Sequence, residues 1–209
     1  MRIGVFGGTF DPIHVGHLIV AEQCRELGRL DEVWFVPSAR PPHKVDSPLT
    51  PLDRRAEMLQ LALAGQPRFR LEPIERDRPG PSYTADTLDD LHARYSDAEL
   101  ALILGADCLP DLPGWHEPLR IIERATLLIA VRPGFALWSP DQLAQALGLP
   151  SPERVRMQIV NVPLIGISSR DLRQRAAEGQ SLLYLVPRAV EVYIKEKHLY
   201  RSGGPGGEA

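Results

Sequence analysis

The chain has 209 residues, of which 44% are hydrophobic and 24% charged, and a formal net charge of −3. That composition belongs to a folded globular protein with one substantial core, and the acidic balance excludes a protein that coats nucleic acid through bulk positive charge. No apolar run approaches membrane-spanning length and no leader peptide is visible ahead of the strand pattern at Arg2, so a cytoplasmic protein is expected.

The first strand pattern covers residues 2–6, and the glycine-rich stretch Gly7 to His17 follows it. An amphipathic helix is expected over 16–27, with a buried stripe of Ile19, Val20, Gln23, Cys24 and Leu27. A strand at 32–37 leads into residues 38–48, which are aperiodic and contain prolines, as a loop or lid would. Helix 51–64 takes Thr50 as its start signal; strand 69–72 and helix 84–94 come next. The run Leu100 to Leu104 is apolar at every position, as expected of a strand covered on both faces, and that strand extends to 105. Helix 118–124, strand 126–131, helix 141–147 after Ser139, strand 157–160, helix 169–178 after Ser168 and helix 187–197 complete the series. Residues 1–200 read as a single domain and 201–209 as a flexible glycine-rich tail. The strand–helix alternation implies a Rossmann-like α/β fold, a doubly wound and mostly parallel sheet with helices on both faces. In such sheets ligands bind at the carboxyl ends of the strands near a topological switch, where the Gly7–His17 stretch falls.

That stretch carries the chemistry. Gly7, Gly8, Thr9, Phe10 and Gly16 bring backbone N–H groups close to an anion at a helix N-terminus, and His14 and His17 fall on one side of the first helical turn. The pattern is neither a Walker A loop nor a dinucleotide fingerprint of the G-x-G-x-x-G type. A polyphosphate site is the principal reading; a metal site of Asp11, His14 and His17 and an ordinary helix start are the alternatives. A second element is Ile167-Ser168-Ser169-Arg170-Asp171-Leu172-Arg173, where Ser168 caps a helix and Arg173 can reach the same anion; a routine cap beside a solvated arginine face competes with it. A third is Lys44 in the proline-containing loop, placed to close over a phosphate or simply solvated. Cys24 and Cys108 lack metal-type spacing and read as buried thiols in a reducing compartment. Trp34 and Trp138 read as packing residues, His92 and His198 as solvated, and the pairs Arg54-Arg55 and Asp89-Asp90 as exposed charge.

Taken together, the His14-Val15-Gly16-His17 motif and the Ile167–Arg173 motif resemble the H-x-G-H and I-S-S-x-x-x-R signatures of the nucleotidyltransferase superfamily. More narrowly the chain resembles bacterial nicotinate-mononucleotide adenylyltransferases over nearly all of residues 1–200. The resemblance includes Gly7 to His14, Pro41 to Lys44, Pro81 to Thr84, Gly105-Ala106-Asp107, Trp115, Arg132-Pro133-Gly134 and Ile167-Ser168-Ser169. It implies transfer of the adenylyl group of ATP to nicotinate mononucleotide, giving nicotinate adenine dinucleotide and pyrophosphate in NAD biosynthesis, with Mg²⁺ carried on the ATP phosphates and no metal held by the protein. It implies His14, His17, Lys44 and Arg173 as catalytic residues around the ATP phosphates, with Gly7, Gly8, Thr9, Phe10, Gly16, Ile167, Ser168 and Ser169 binding ATP. It also implies an acceptor pocket in which Trp115 stacks on the pyridine ring, backbone N–H groups near Thr84 and His116 meet the carboxylate, and Asp107 bonds a ribose hydroxyl. Arg170 stands where the family often has Thr, and His116 where it often has Tyr. Other acceptors (nicotinamide mononucleotide, phosphopantetheine), a non-catalytic adenine-nucleotide sensor and a tRNA-binding protein are the competing readings. ATP and nicotinate mononucleotide are the expected partners, without nucleic acid or membrane, and a homo-oligomer is compatible with the sequence.

Overall fold

A computed structural model describes residues 1–42, 49–131 and 137–201. Six strands, β1 (Arg2–Gly8), β2 (Glu32–Pro37), β3 (Phe69–Leu71), β4 (Glu99–Gly105), β5 (Ala125–Ala130) and β6 (Met157–Val160), form one sheet in the order β3-β2-β1-β4-β5-β6. Every pairing is parallel, with Val5 opposite both Trp34 and Leu102 at the centre of the sheet. The chain winds outward from β1 to β3, returns to β4 beside β1, and then winds to the other edge. The reversal leaves a crevice at the carboxyl ends of β1 and β4.

Among the described residues, α1 (Val15–Leu27), α2 (Leu52–Leu63), α3 (Thr84–Arg94), α4 (Pro118–Arg124) and α5 (Pro140–Ala146) connect successive strands, and α6 (Ser169–Ala177) and α7 (Arg188–Glu196) follow β6. Period-two alternation along the strands sorts them into two layers. Val5, Trp34, Leu102, Leu104 and Ile129 share one core with Leu88 and Leu91 of α3, Ile121 and Ile122 of α4, and Leu143 of α5. Val33, Phe35, Ala101, Ile103 and Leu128 share the other with Ala21 and Cys24 of α1, Met58 and Leu59 of α2, Leu172 of α6 and Ile194 of α7. Trp34 is a packing residue, fully buried, and Trp138 packs against the first core as a partly buried residue.

Four local expectations need correction. The buried stripe of α1 is Gly16, Ala21 and Cys24 rather than one ending at Leu27, which is exposed. Small side chains let this helix lie close to the sheet, and residues 21, 24 and 28 recur at helical spacing beneath it. Thr50 does not cap α2. The helix starts after Pro51, and the Thr50 backbone N–H instead donates to Asp11. Arg55, read as exposed charge, is 1% exposed and spends its guanidinium on backbone carbonyls. Asp89 is half-buried and ion-paired to Arg120 and Arg124 across the α3–α4 contact. Ser139 and Ser168 cap α5 and α6 as expected, accepting from the N–H groups of Gln142 and Asp171.

Cys24 is fully buried, and burial pushes its thiol up to about 12; Cys108 is half-buried, and neither cysteine is in a disulfide. His198 is exposed and His92 half-buried. Among the described residues no helix is long and apolar enough to cross a membrane.

Candidate active site

The strand β1 ends in Gly7 and Gly8, and the chain then turns sharply. Phe10 has φ of 47° in the left-handed region, and the Asp11–Pro12 peptide is cis. The Phe10 ring is buried against Phe6, Phe35 and the edge of His17, the last at 5.1 Å between ring centroids. Phe10 therefore holds the turn through its side chain, and any nucleotide contact from it is left to its backbone.

His14 is the N-cap of α1 and His17 lies one turn in. The two imidazoles stack with centroids 3.7 Å apart and planes 28° from parallel. The His14 backbone N–H donates to Nδ1 of His17 at 3.2 Å. An acceptor at Nδ1 places the proton of a neutral His17 on Nε2, so the ring is set as a donor from that atom. Gly16 leaves room between them: a Cβ there would lie 3.0 Å from Cε1 and Nδ1 of His14, tighter than ordinary contact.

Two cavities open from this corner. One, of about 230 Å³, is lined by His14, Gly16, His17, Phe6, Val20, Val131, Ile167 and residues 162–165. The other, of about 180 Å³, is lined by Gly7, Gly8, Ser38, Tyr83, Thr84, Leu104, Trp115 and His116 among others. The expected phosphate histidines and the expected acceptor residues thus fall into separate cavities on either side of the β1 carboxyl end. Gly7 and Gly8, assigned to ATP, line the acceptor-side cavity.

Thr84 is the first residue of α3, whose opening N–H groups have no intrahelical partner and can meet an anion. Trp115 follows a single 3-10 turn (Leu112–Gly114) and packs partly against the first core, leaving part of its indole in the cavity lining. His116 is exposed and stacks on Tyr83 with ring centroids 4.1 Å apart, and its Nε2 lies 3.1 Å from Oε2 of Glu117. Asp107 lies in the 3-10 turn after β4 and is half-buried, outside the lining of both cavities.

From the second motif, Ile167 lines the histidine-side cavity, and residues 168–173 line neither of the two. Ser168 caps α6; Ser169 donates through Oγ to the Pro12 carbonyl at 2.9 Å; Nη1 of Arg173 donates to the Asp11 carbonyl at 2.7 Å. Arg170 is exposed. Lys44 and Arg132 lie outside the described residues.

Several residues at the site were not anticipated. Arg55 donates from Nη1 to the Thr9 carbonyl, and Tyr200 donates to Oδ1 of Asp11 at 2.7 Å. Glu75, buried, accepts from Thr87 of α3 at 2.6 Å and from the Ala39 N–H, joining the exit of β2 to α3 beside the acceptor cavity. For Arg55 the available signal was its phase with Met58, Leu59 and Leu63; Tyr200 carried no local signal. Among the described residues, Asp86, His116 and Glu117 could share a metal ion, but Arg120 already bridges Asp86 and Glu117.

Residues 5–175 match the cytidylyltransferase-like family model. The chain belongs to the cytidylyltransferase-like family. Within it, a probable nicotinate-nucleotide adenylyltransferase of Thermomicrobium roseum is 49% identical over 201 residues, 96% of this chain and 92% of that one. One of Thermus thermophilus is 48% identical over 203 residues, 96% and 100% of the two chains. The fold of this cytidylyltransferase-like chain matches Plasmodium falciparum nicotinic acid mononucleotide adenylyltransferase complexed with NaAD at a TM-score of 0.77, with 20% identity, covering 95% and 97% of the two chains.

Proposed function

We propose that this chain joins the adenylyl group of ATP to nicotinate mononucleotide, releasing pyrophosphate and nicotinate adenine dinucleotide, as a cytoplasmic step of NAD synthesis. The observation that carries the reading is the pair of cavities flanking the β1 carboxyl end, one beside the stacked histidines and one lined by Thr84 and Trp115. A dinucleotide product has two such halves. The relatives named for this activity align over nearly the whole chain.

In this reading the acceptor's phosphate attacks the α-phosphorus of ATP and pyrophosphate departs. The attacking group is already anionic at neutral pH, so no protein nucleophile is required, and catalysis is alignment plus stabilisation of charge on the phosphates. His17, oriented by the His14 N–H, donates to those oxygens; His14, Lys44 and the remaining N–H groups of Arg173 surround the same group. Gly7 to Phe10 and Gly16 supply close backbone, and Ile167, Ser168 and Ser169 close the other side. Trp115 offers a flat face to the pyridine ring, while N–H groups at Thr84 and His116 favour a carboxylate over a carboxamide. Asp107 is assigned to the acceptor ribose. Magnesium enters with the nucleotide as MgATP: the loop's own carboxylate, Asp11, has one oxygen on Tyr200 and the other on the Thr50 N–H.

The test is steady-state kinetics with ATP and, in parallel, nicotinate mononucleotide, nicotinamide mononucleotide and phosphopantetheine, read by pyrophosphate release. The reading requires the largest kcat/KM with the nicotinate acceptor; a preference for either other acceptor, or no pyrophosphate from any, overturns it.

A further inference from the structure

The turn at residues 9–14 is held in an unusual way. A loop that receives a polyphosphate must turn its carbonyl oxygens aside, because each is a partial negative charge. Here the carbonyls of Thr9, Asp11 and Pro12 are each taken by a side-chain donor: Arg55 at 2.8 Å, Arg173 at 2.7 Å and Ser169 at 2.9 Å. For Thr9 and Pro12, tying the carbonyl back points the N–H of the same peptide, that of Phe10 and of Ile13, the other way; the Asp11 carbonyl precedes Pro12, which has no N–H, so there the bond only removes a partial negative charge.

Behind the turn lies a buried polar cluster. Asp11 is 1% exposed, with Oδ1 on the Tyr200 hydroxyl and Oδ2 on the Thr50 N–H. Arg55, equally buried, links the Thr9 carbonyl to the Thr50 carbonyl. Burial opposes the Arg55 charge and the Asp11 carboxylate supports it; burial, with Asp11 next, also pushes the Tyr200 phenol upward, so its proton stays in place. Two buried opposite charges with their hydrogen bonds met specify one arrangement of the chain around them.

We propose that Arg55, Asp11 and Tyr200 form an internal brace that holds the turn at residues 9–14 in its phosphate-receiving shape, making Arg55 and Tyr200 positioning residues for the transfer step. The inference rests on the function proposed above. It assigns a role in the reaction to α2 and to the segment after α7, neither of which contributes to either cavity.

The experiment compares Tyr200→Phe, Arg55→Met and Arg55→Lys with the unaltered chain. A control, Tyr193→Phe, removes the hydroxyl that bonds Glu57 on the opposite side of α2. Measured are kcat, both KM values, calorimetric binding of a non-reacting ATP analogue and of nicotinate mononucleotide, and the melting temperature. Tyr200→Phe removes one oxygen from a charge-assisted bond and is expected to lower kcat about tenfold and to weaken the ATP analogue, with acceptor affinity within about twofold. Arg55→Met is expected to lose more and Arg55→Lys to recover part of it, while Tyr193→Phe leaves both substrates unaffected. The brace is overturned if Tyr200→Phe, folded and binding the acceptor normally, turns over like the unaltered chain, or if its loss falls equally on both substrates. Should Arg55→Met not fold, Tyr200→Phe alone decides. Failure of the unaltered chain to release pyrophosphate would instead refute the proposed function.

Discussion

Gly16→Ala separates folding from chemistry. In isolation the change favours the protein, because alanine in a helix is preferred over glycine by about 0.5–1 kcal/mol. The surroundings oppose it. The new Cβ would lie 3.0 Å from two atoms of the His14 ring and 3.3 Å from Cγ2 of Ile165, whereas ordinary contact begins at 3.4 Å. The His14 ring must therefore move by at least about 0.4 Å, and it is stacked on His17 at 3.7 Å, so the displacement passes to the second imidazole. A misplacement of about 1 Å at a reacting centre costs roughly 100-fold, so this smaller shift is worth about five- to tenfold in kcat. Overpacking offsets the helix gain, leaving the melting temperature within a few degrees of its starting value. The assay is pyrophosphate release at saturating ATP and nicotinate mononucleotide, with a thermal melt on the same sample. A folded Gly16→Ala protein whose kcat stays within twofold of the parent would refute the argument that the two rings are held in reactive register.

Other expectations follow from the same geometry. His17→Ala removes the oriented Nε2 donor and should lower kcat by about 100-fold or more, the scale of losing one hydrogen bond to developing charge; turnover near the parent's would remove His17 from the chemistry. Trp115→Ala should raise the KM for nicotinate mononucleotide about tenfold or more and leave that for ATP within about twofold, since the indole lines only the acceptor-side cavity; an equal rise in both would count against ring stacking there. Cys24 should resist iodoacetamide at pH 8 until the protein is unfolded, as labelling followed by peptide mass measurement would report. Its thiol rises from an ordinary 9.0 to about 12 on folding, so its contribution to stability is full below pH 9 and is lost as pH climbs through the interval to 12. Between pH 8 and pH 10 that loss is about 1.4 kcal/mol in urea titrations, and Cys24→Ala should lack it; parallel pH profiles for the two proteins would show the thiol ionises freely.

The central strands were readable almost to the residue because β1, β4 and β5 are covered on both faces and show it as continuous apolar runs. Helices whose starts are marked by a local oxygen, at Ser139 and Ser168, were equally legible. The α1 stripe misled because the residues that reach the sheet are small: glycine, alanine and cysteine score below Ile19 and Leu27 in any hydrophobic pattern, yet only they allow the backbone so close. The pair Arg54-Arg55 looked like solvated charge because nothing nearby in sequence announces two carbonyl partners, one of them 46 residues away. At the candidate site, the histidines, Trp115 and Thr84 stand in sequence motifs, and the structure places them in the linings of the two cavities. Arg173 and Ser169 stand in a motif too, but the structure places them against the backbone of the turn, a contact that depends on partners 162 and 157 residues distant. Glu75 and Tyr200 are legible only in three dimensions, since a single acid or phenol in an ordinary segment has no distinguishing neighbours.

The bond between Asp11 and Tyr200 spans 189 positions of the chain. During translation the glycines and both histidines emerge first, and every strand of the sheet must be synthesised before the phenol that secures them exists. A partly made copy therefore carries the recognisable signature without the frame that shapes it. A chain interrupted before Tyr200 would keep the motif and lack the bond that reaches Asp11 from behind it.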